Sequence, residues 1–277
     1  MYKKRKIDFK KFLGKPSTED LETLPGEYIL PPSAFISVWR TTVNNVAITL
    51  PYISGIQNYG IIYWGDGETS DNSYDSRTHI YSLPGTYTIT IVGTVQGFNF
   101  YNSSTDDEDK IVEIIQWGNL TLGQNTFVNC TNLQLNNVRD IPNLTNVTTL
   151  ENFFFNCQSL TTIKNINSWD VSNVTNMKNM FQRTKFNQNI SDWDVSNVTN
   201  MRGMFDGANA FNQPLSGWNV SNVTNMYSMF RNALKFNQNL SSWCVENIEN
   251  PPPFFDTGAS SWTGAPATRP QWGSCPS

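Results

Sequence analysis

The side chains that carry most enzyme chemistry are few in this chain and poorly spaced for it. It holds one histidine among 277 residues, His79, and nothing in the sequence pairs that ring with a nucleophile. A lone histidine in a β-type run is expected to be hydrogen-bonded structure, not a base. The acidic loop Asp66, Glu68, Asp71 and Asp75 offers the hard oxygen ligands that calcium takes. Its spacing is not that of an EF-hand and lacks the distal Glu, and turn formation alone accounts for Asp and Gly there. The expectation is no catalytic residue and no cofactor, with calcium on this loop as the candidate exception. Asp106, Asp107, Glu108 and Asp109 are expected to be a solvated linker.

The four cysteines, Cys130, Cys157, Cys244 and Cys275, form no Cys-x-x-Cys pair, which leaves zinc ribbons and cysteine-histidine clusters without support. Cys244 and Cys275 flank the final segment, 31 residues apart, where a disulfide would stop the end of the chain fraying. The alternative is two small buried thiols. Cys130 and Cys157 occupy equivalent repeat positions and are expected to stack as buried neighbours.

Those residues need elements to hold them, and a repeat supplies most of the elements. Trp169 to Phe181 recurs as Trp193 to Phe205 and Trp218 to Phe230, and the tryptophans continue to Trp243 at spacings of 24, 25 and 25. Divergent copies lie upstream, with Phe127 and Cys130 placed 27 residues before Phe154 and Cys157. In one unit Met201, Met204, Phe205, Ala208 and Phe211 fall at i, i+3, i+4, i+7 and i+10, the apolar stripe of a helix. Leu215, Trp218 and Val220 follow with strand character. The expected fold is therefore mixed α/β, each coil pairing a short helix with a short strand, and stacking is what gives the coils a shared core. Positions that vary between coils are left for binding. Lys178, Arg202 and Tyr227 form one equivalent set, and Asp192, Gly217 and Ser242 form another.

Ahead of the array, Phe35 to Trp39, Val46 to Leu50, Tyr59 to Trp64 and Tyr87 to Val92 read as strands separated by turns, spaced as an all-β sandwich needs. The resulting division is an arm over 1–31, a sandwich over 32–101, a linker over 102–110, a repeat solenoid of about five coils of 24 to 27 residues over 111–250, and a cap over 251–277.

Charge separates the arm from the rest. Of 19 basic and 23 acidic residues, seven basic and one acidic lie in residues 1 to 15, which leaves 12 against 22 and a body at -10. Such a body repels polyphosphate, so specific nucleic-acid binding is not expected. Lys3, Lys4, Arg5, Lys6, Lys10, Lys11 and Lys15 suit an arm that docks on an acidic scaffold. No segment approaches the roughly 18 apolar residues of a membrane span, and the basic start lacks the apolar run of a secretory leader.

Tyr63-Trp-Gly-Asp-Gly67, His79-Ile-Tyr81 and Pro84-Gly-Thr-Tyr87 occur in the order found in the PKD (polycystic kidney disease) domain, which residues 32–101 resemble. That resemblance implies an Ig-like β-sandwich used for spacing or adhesion. The Asn-Val-Thr-Asn-Met-x-x-Met-Phe repeats resemble the BspA-like leucine-rich-repeat surface proteins over nearly all of 111–277. This implies binding to proteins or cell surfaces, with no catalytic residue to carry over. The combined expectation is a non-enzymatic display or adhesion protein on a virion surface, as a head fibre, decoration or tail protein. It would dock on a virion scaffold protein by its N-terminus and meet a protein or cell-surface glycan receptor through the array. A bacterial surface adhesin is the first alternative and a glycan-acting enzyme the second. A homo-oligomer would suit a fibre, although no heptad run specifies one.

Overall fold

The computed structural model describes residues 31–101, 107–264 and 268–276. Seven strands form among the described residues: β1 (Phe35–Thr41), β2 (Val46–Thr49), β3 (Gly60–Tyr63), β4 (Thr69–Asp71), β5 (Thr78–Tyr81), β6 (Gly85–Gly93) and β7 (Ile111–Gln116). Five make an antiparallel sheet in the order β4-β3-β6-β1-β7, and β2 pairs with β5 in a second, two-stranded sheet. Neither sheet closes on itself. β1 is rich in Phe, Ile, Val and Trp and lies between β6 and β7, where a residue is buried on either face. Its register against β7 slips twice, between Ile36 and Ser37 and between Val38 and Trp39. β7 also starts the next region, since Glu113 bridges Gln134 in parallel.

The repeats do not fold as expected. Among the described residues there is no α-helix, and the one helical piece is the three-residue 3-10 turn Ile166–Ser168. The chain is nearly all β and turn, so the mixed α/β class and the leucine-rich-repeat solenoid with helix and strand in each coil are both overturned. The cause is backbone handedness. Positions four apart adopt positive φ in coil after coil: Asn125 and Asn129, Asn152 and Asn156, Asn179 and Arg183, Gly203 and Gly207, Ser228 and Asn232, Phe254 and Gly258. A left-handed residue every fourth position cannot belong to a right-handed helix, and Asn and Gly are the types that tolerate it.

What forms instead is a run of turns whose amides alternate in direction. Met201, Gly203, Phe205 and Gly207 donate their N–H groups to Asn225, Tyr227, Met229 and Arg231 of the next coil at 2.7 to 2.9 Å. Between them Met204, Asp206 and Ala208 donate back to Met201, Gly203 and Phe205 at 3.0 to 3.2 Å. Direct backbone bonding between coils requires β-like separation, closer than the roughly 8 to 10 Å that packed helices need. The predicted apolar stripe is nonetheless buried, with Met201, Met204, Phe205, Ala208 and Phe211 at 0% exposure. Spacing of three and four serves stacked turns as well as it serves a helix.

Side chains repeat the same bonding. Phe154, Phe181, Phe205 and Phe230 stack with centroids 5.6 to 5.9 Å apart, and Phe186, Phe211 and Phe236 form a second file at 6.0 to 6.1 Å. Trp193, Trp218 and Trp243 each donate Nε1–H to a carbonyl of the preceding coil at 2.8 to 3.0 Å. Asn173, Asn197, Asn222 and Asn247 donate their Nδ2–H groups to Thr145, Ser172, Ser196 and Ser221 carbonyls. Phe98 and Trp117 both contact Phe127, at 6.2 and 5.9 Å, so the sheets and the coils share one continuous core.

Candidate functional site: a polar groove across three coils

The acidic loop links β3 to β4 and is a locked turn. Gly65 and Gly67 take φ of 89° and 107°, and a Cβ on Gly65 would stand 2.6 Å from the Thr88 carbonyl. Asp66 Oδ1 accepts from the Glu68 amide at 3.0 Å, and Oδ2 pairs with His79 Nε2 at 2.7 Å. The His79 ring stacks on Trp64 at 5.0 Å, and Tyr81 donates its hydroxyl to the Trp64 carbonyl at 2.7 Å. Burial pushes the Tyr81 phenol well above its ordinary range, and the charges at Asp66 and Tyr87 push the same way. Asp71 and Asp75 are exposed. Among the described residues, no three of these four acids bring their oxygens within 4.8 Å of one another; the potential ligand atoms that do lie so close are the Cys244 and Cys275 sulfurs and a Glu246 carboxylate oxygen. The two sulfurs are spent on each other, because Cys244 and Cys275 form a disulfide.

Cys130 and Cys157 are free and buried, and burial raises both thiols far above reactivity at neutral pH. Cys157 donates Sγ–H to the Phe127 carbonyl at 3.1 Å. Asp107 departs from the solvated linker expected for its run: it is 3% exposed, accepts from the Thr49 amide at 2.9 Å and pairs with Lys110. The paired cation and the amide compensate the burial of its charge. Asp106 and the basic residues Lys3, Lys4, Arg5, Lys6, Lys10, Lys11 and Lys15 lie outside the described residues.

Lys178, Arg202 and Tyr227 come together. Their equivalent positions in three stacked coils form one wall of a groove of about 400 Å³. The Arg202 guanidinium lies over the Tyr227 ring, 4.7 Å from its centroid. Lys178 is held by Glu151 at 2.6 Å. Burial pushes the Glu151 carboxyl up, but hydrogen bonds from Lys178 and Asn176 outweigh it and leave that group below the ordinary carboxylate range. Asp192, Gly217 and Ser242 are exposed and line no part of this groove.

The opposite wall contains residues the sequence reading passed over. Asp206, only 4% exposed, takes a bidentate fork from Arg231, with Nε–Oδ1 at 3.0 Å and Nη2–Oδ2 at 2.7 Å. The hydrogen bonds and charge of Asp206 raise the Arg231 guanidinium above its usual value, so the cation is permanent. Gln182 Nε2 donates to Asp206 Oδ2 at 2.7 Å. The groove exists because a ladder stops. Asn152 and Asn179 donate side-chain amides to Asn125 and Asn152 at 2.8 and 2.9 Å, but the next position is Gly203, with no side chain. Ser228 follows, 3% exposed, with an Oγ that has no partner. The sequence signal was present, as departures from Asn at one repeat position.

This arrangement holds a fixed ion pair, an open cation on an aromatic face and unpaired polar atoms. It offers fixed charges and hydrogen-bonding atoms to a polar ligand. Residues 148–263, the segment that contains the groove, match the profile of a family described as "Mycoplasma protein of unknown function, DUF285". The matched segment stops short of the N-terminal sheets. No curated protein and no solved structure is significantly similar to the chain. What the comparisons establish is thus a likeness of the C-terminal coils to this family, consistent with a BspA-like surface repeat protein.

Proposed function

We propose that this protein is a non-catalytic display or adhesion protein of the BspA-like kind, which grips a protein or cell-surface glycan receptor through the wall built by Lys178, Arg202 and Tyr227. One observation carries the reading: the repeated residues are buried in the core, while these variable ones converge on one groove. The Cys244–Cys275 bridge suits an oxidising setting outside a reducing cytosol. The BspA-like character of the repeats favours a cell surface, whereas the basic residues 3 to 15 favour docking on an acidic particle scaffold. Deleting residues 2–30 and assaying particle or envelope association separates those settings. For the binding role, labelled full-length protein is applied to candidate host cells. R202A with Y227A is expected to lose attachment, and D192A with S242A to keep it; the reverse pattern overturns the proposal.

A further inference from the structure

The groove specifies more about its occupant than that it is polar. Its lining contains Lys178, Arg202 and Arg231 against Asp206. Lys178 is neutralised by Glu151, and Arg231 by Asp206. Among the described residues Arg202 has no carboxylate partner; its planar fork is stacked on Tyr227 and open toward solvent. A guanidinium so placed is matched by a planar, bidentate anion. Beside it are two groups of opposite need. Asn179 Oδ1 is an acceptor with no following amide, since Gly203 breaks the ladder. Ser228 Oγ is a buried hydroxyl without a partner, and such a group costs stability unless something completes it.

A bare phosphate satisfies Arg202 but carries its one or two protons on that same compact anion, with no hydroxyl set apart from it for Asn179 and Ser228. A neutral sugar satisfies Asn179 and Ser228 and leaves Arg202 unused. An acidic sugar residue, with a ring carboxylate and adjacent hydroxyls, satisfies all three. Room is sufficient, since about 400 Å³ lies within the range of small-molecule sites. Phe254, 51% exposed and 5.7 Å from the Tyr227 ring, adds an aromatic surface at the same end for the apolar face of a sugar. We infer that the groove between Asn179, Arg202 and Ser228 binds a carboxylate-bearing sugar unit of a glycan. This rests on the display reading above and names the chemistry of its receptor.

The test is calorimetric titration of the full-length protein with glucuronic acid, N-acetylneuraminic acid, glucose and inorganic phosphate. At least one sugar acid is expected to bind, about tenfold or more tighter than glucose and phosphate, a ratio in keeping with one charge-assisted bidentate contact. R202A is expected to abolish the preference, and R202K to restore it in part. S228A removes a hydroxyl that makes no hydrogen bond within the protein, so it is expected to weaken sugar-acid binding while leaving thermal unfolding unchanged or improved. G203N puts a Cβ 2.3 Å from the present Asn179 Oδ1, so that amide must turn aside, and the variant is expected to block binding without unfolding the chain. Failure of both sugar acids to bind, or equal binding of phosphate insensitive to S228A, overturns the inference. Attachment to cells measured in parallel separates the two ideas: retained, Arg202-dependent attachment without sugar-acid binding sinks the glycan assignment alone, and loss of both sinks the display reading too.

Discussion

The N-terminal sheets and the C-terminal coils share a core but are held together by different kinds of bond. In the sheets each contact occurs once. Asn72, 1% exposed, accepts the Tyr52 hydroxyl at 2.7 Å and donates to the Tyr59 and Thr94 carbonyls, so it ties together positions up to 22 residues away. In the coils a contact made once is made again 24 to 27 residues later, as the asparagine amides and indole Nε1–H groups show. Unique long-range contacts fail together; repeated neighbour contacts fail one coil at a time. The binding groove lies in the second kind of region, where one coil can lose a ladder side chain without costing the stack its core.

The largest test of that contrast removes one buried ring from each region. Phe205→Ala and Trp39→Ala both delete fully buried aromatics and are expected to cost about 3–5 kcal/mol in denaturant unfolding. They should differ in reach. Hydrogen exchange is expected to rise around Met180, Met204 and Met229 in the first variant while β1 and β6 stay protected, whereas the second should release the whole sheet. Uniform loss of protection in both would make the molecule one cooperative unit and erase the distinction.

Reducing the Cys244–Cys275 bridge comes next. It spans 31 residues, and loop entropy assigns it about 3–4 kcal/mol. Cys275 tethers the segment whose Ser274 carbonyl accepts from the Val245 amide at 2.9 Å, so exchange near Trp243 and Val245 should accelerate first in reductant. Equal acceleration at Phe127 would contradict nearest-neighbour stacking. A smaller effect distinguishes the sheets: Gly60 and Gly93 sit face to face, and a Cβ on Gly93 would stand 2.0 Å from the Tyr59 carbonyl. Gly93→Ala is expected to cost about 1–3 kcal/mol. Gly217→Ala, where an added Cβ meets nothing within 4 Å, should stay within about 0.5 kcal/mol of the parent.

How much of this could be read beforehand follows from what side-chain spacing encodes. β1, β2, β3 and β6 coincide with the four apolar runs between turns, because alternation and Gly or Pro punctuation act locally. The buried set of each coil was equally legible from Met201 to Phe211. Helix and stacked turn were not separable that way, since both bury i, i+3, i+4. The discriminating mark is left-handed backbone at positions four apart, plain where both are Asn or Gly but hidden where Arg183, Ser228 and Phe254 occupy them. Lys178, Arg202 and Tyr227 could be grouped by equivalence, but Glu151, which holds Lys178, and the Asp206–Arg231 pair that lines the same groove come from coils whose register only the fold supplies. Asp107 was misjudged for a related reason: an acidic run looks solvated until one member finds an amide inside.

Acid should act weakly and on the coils more than on the sheets. Glu151, Asp170 and Asp194 all have folded-state carboxyl values below the ordinary range. In Asp170 and Asp194 the cause is a side-chain hydrogen bond from Ser172 and Ser196, joined by the amide of the same serine, at turn positions that recur between coils. A depressed value means that the folded chain binds the proton less readily than the unfolded chain does. The stabilisation is therefore complete above the unfolded value of about 4 and is lost as pH falls through the lower folded values. Asp170 and Asp194 are almost fully solvated, so most of the effect belongs to Glu151, where protonation also releases Lys178 into the groove. Thermal unfolding between pH 7 and pH 5 is expected to be flat in this respect, with a decline below pH 4 that Glu151→Gln flattens. An unchanged acid limb in that variant would assign the loss to the sheets instead.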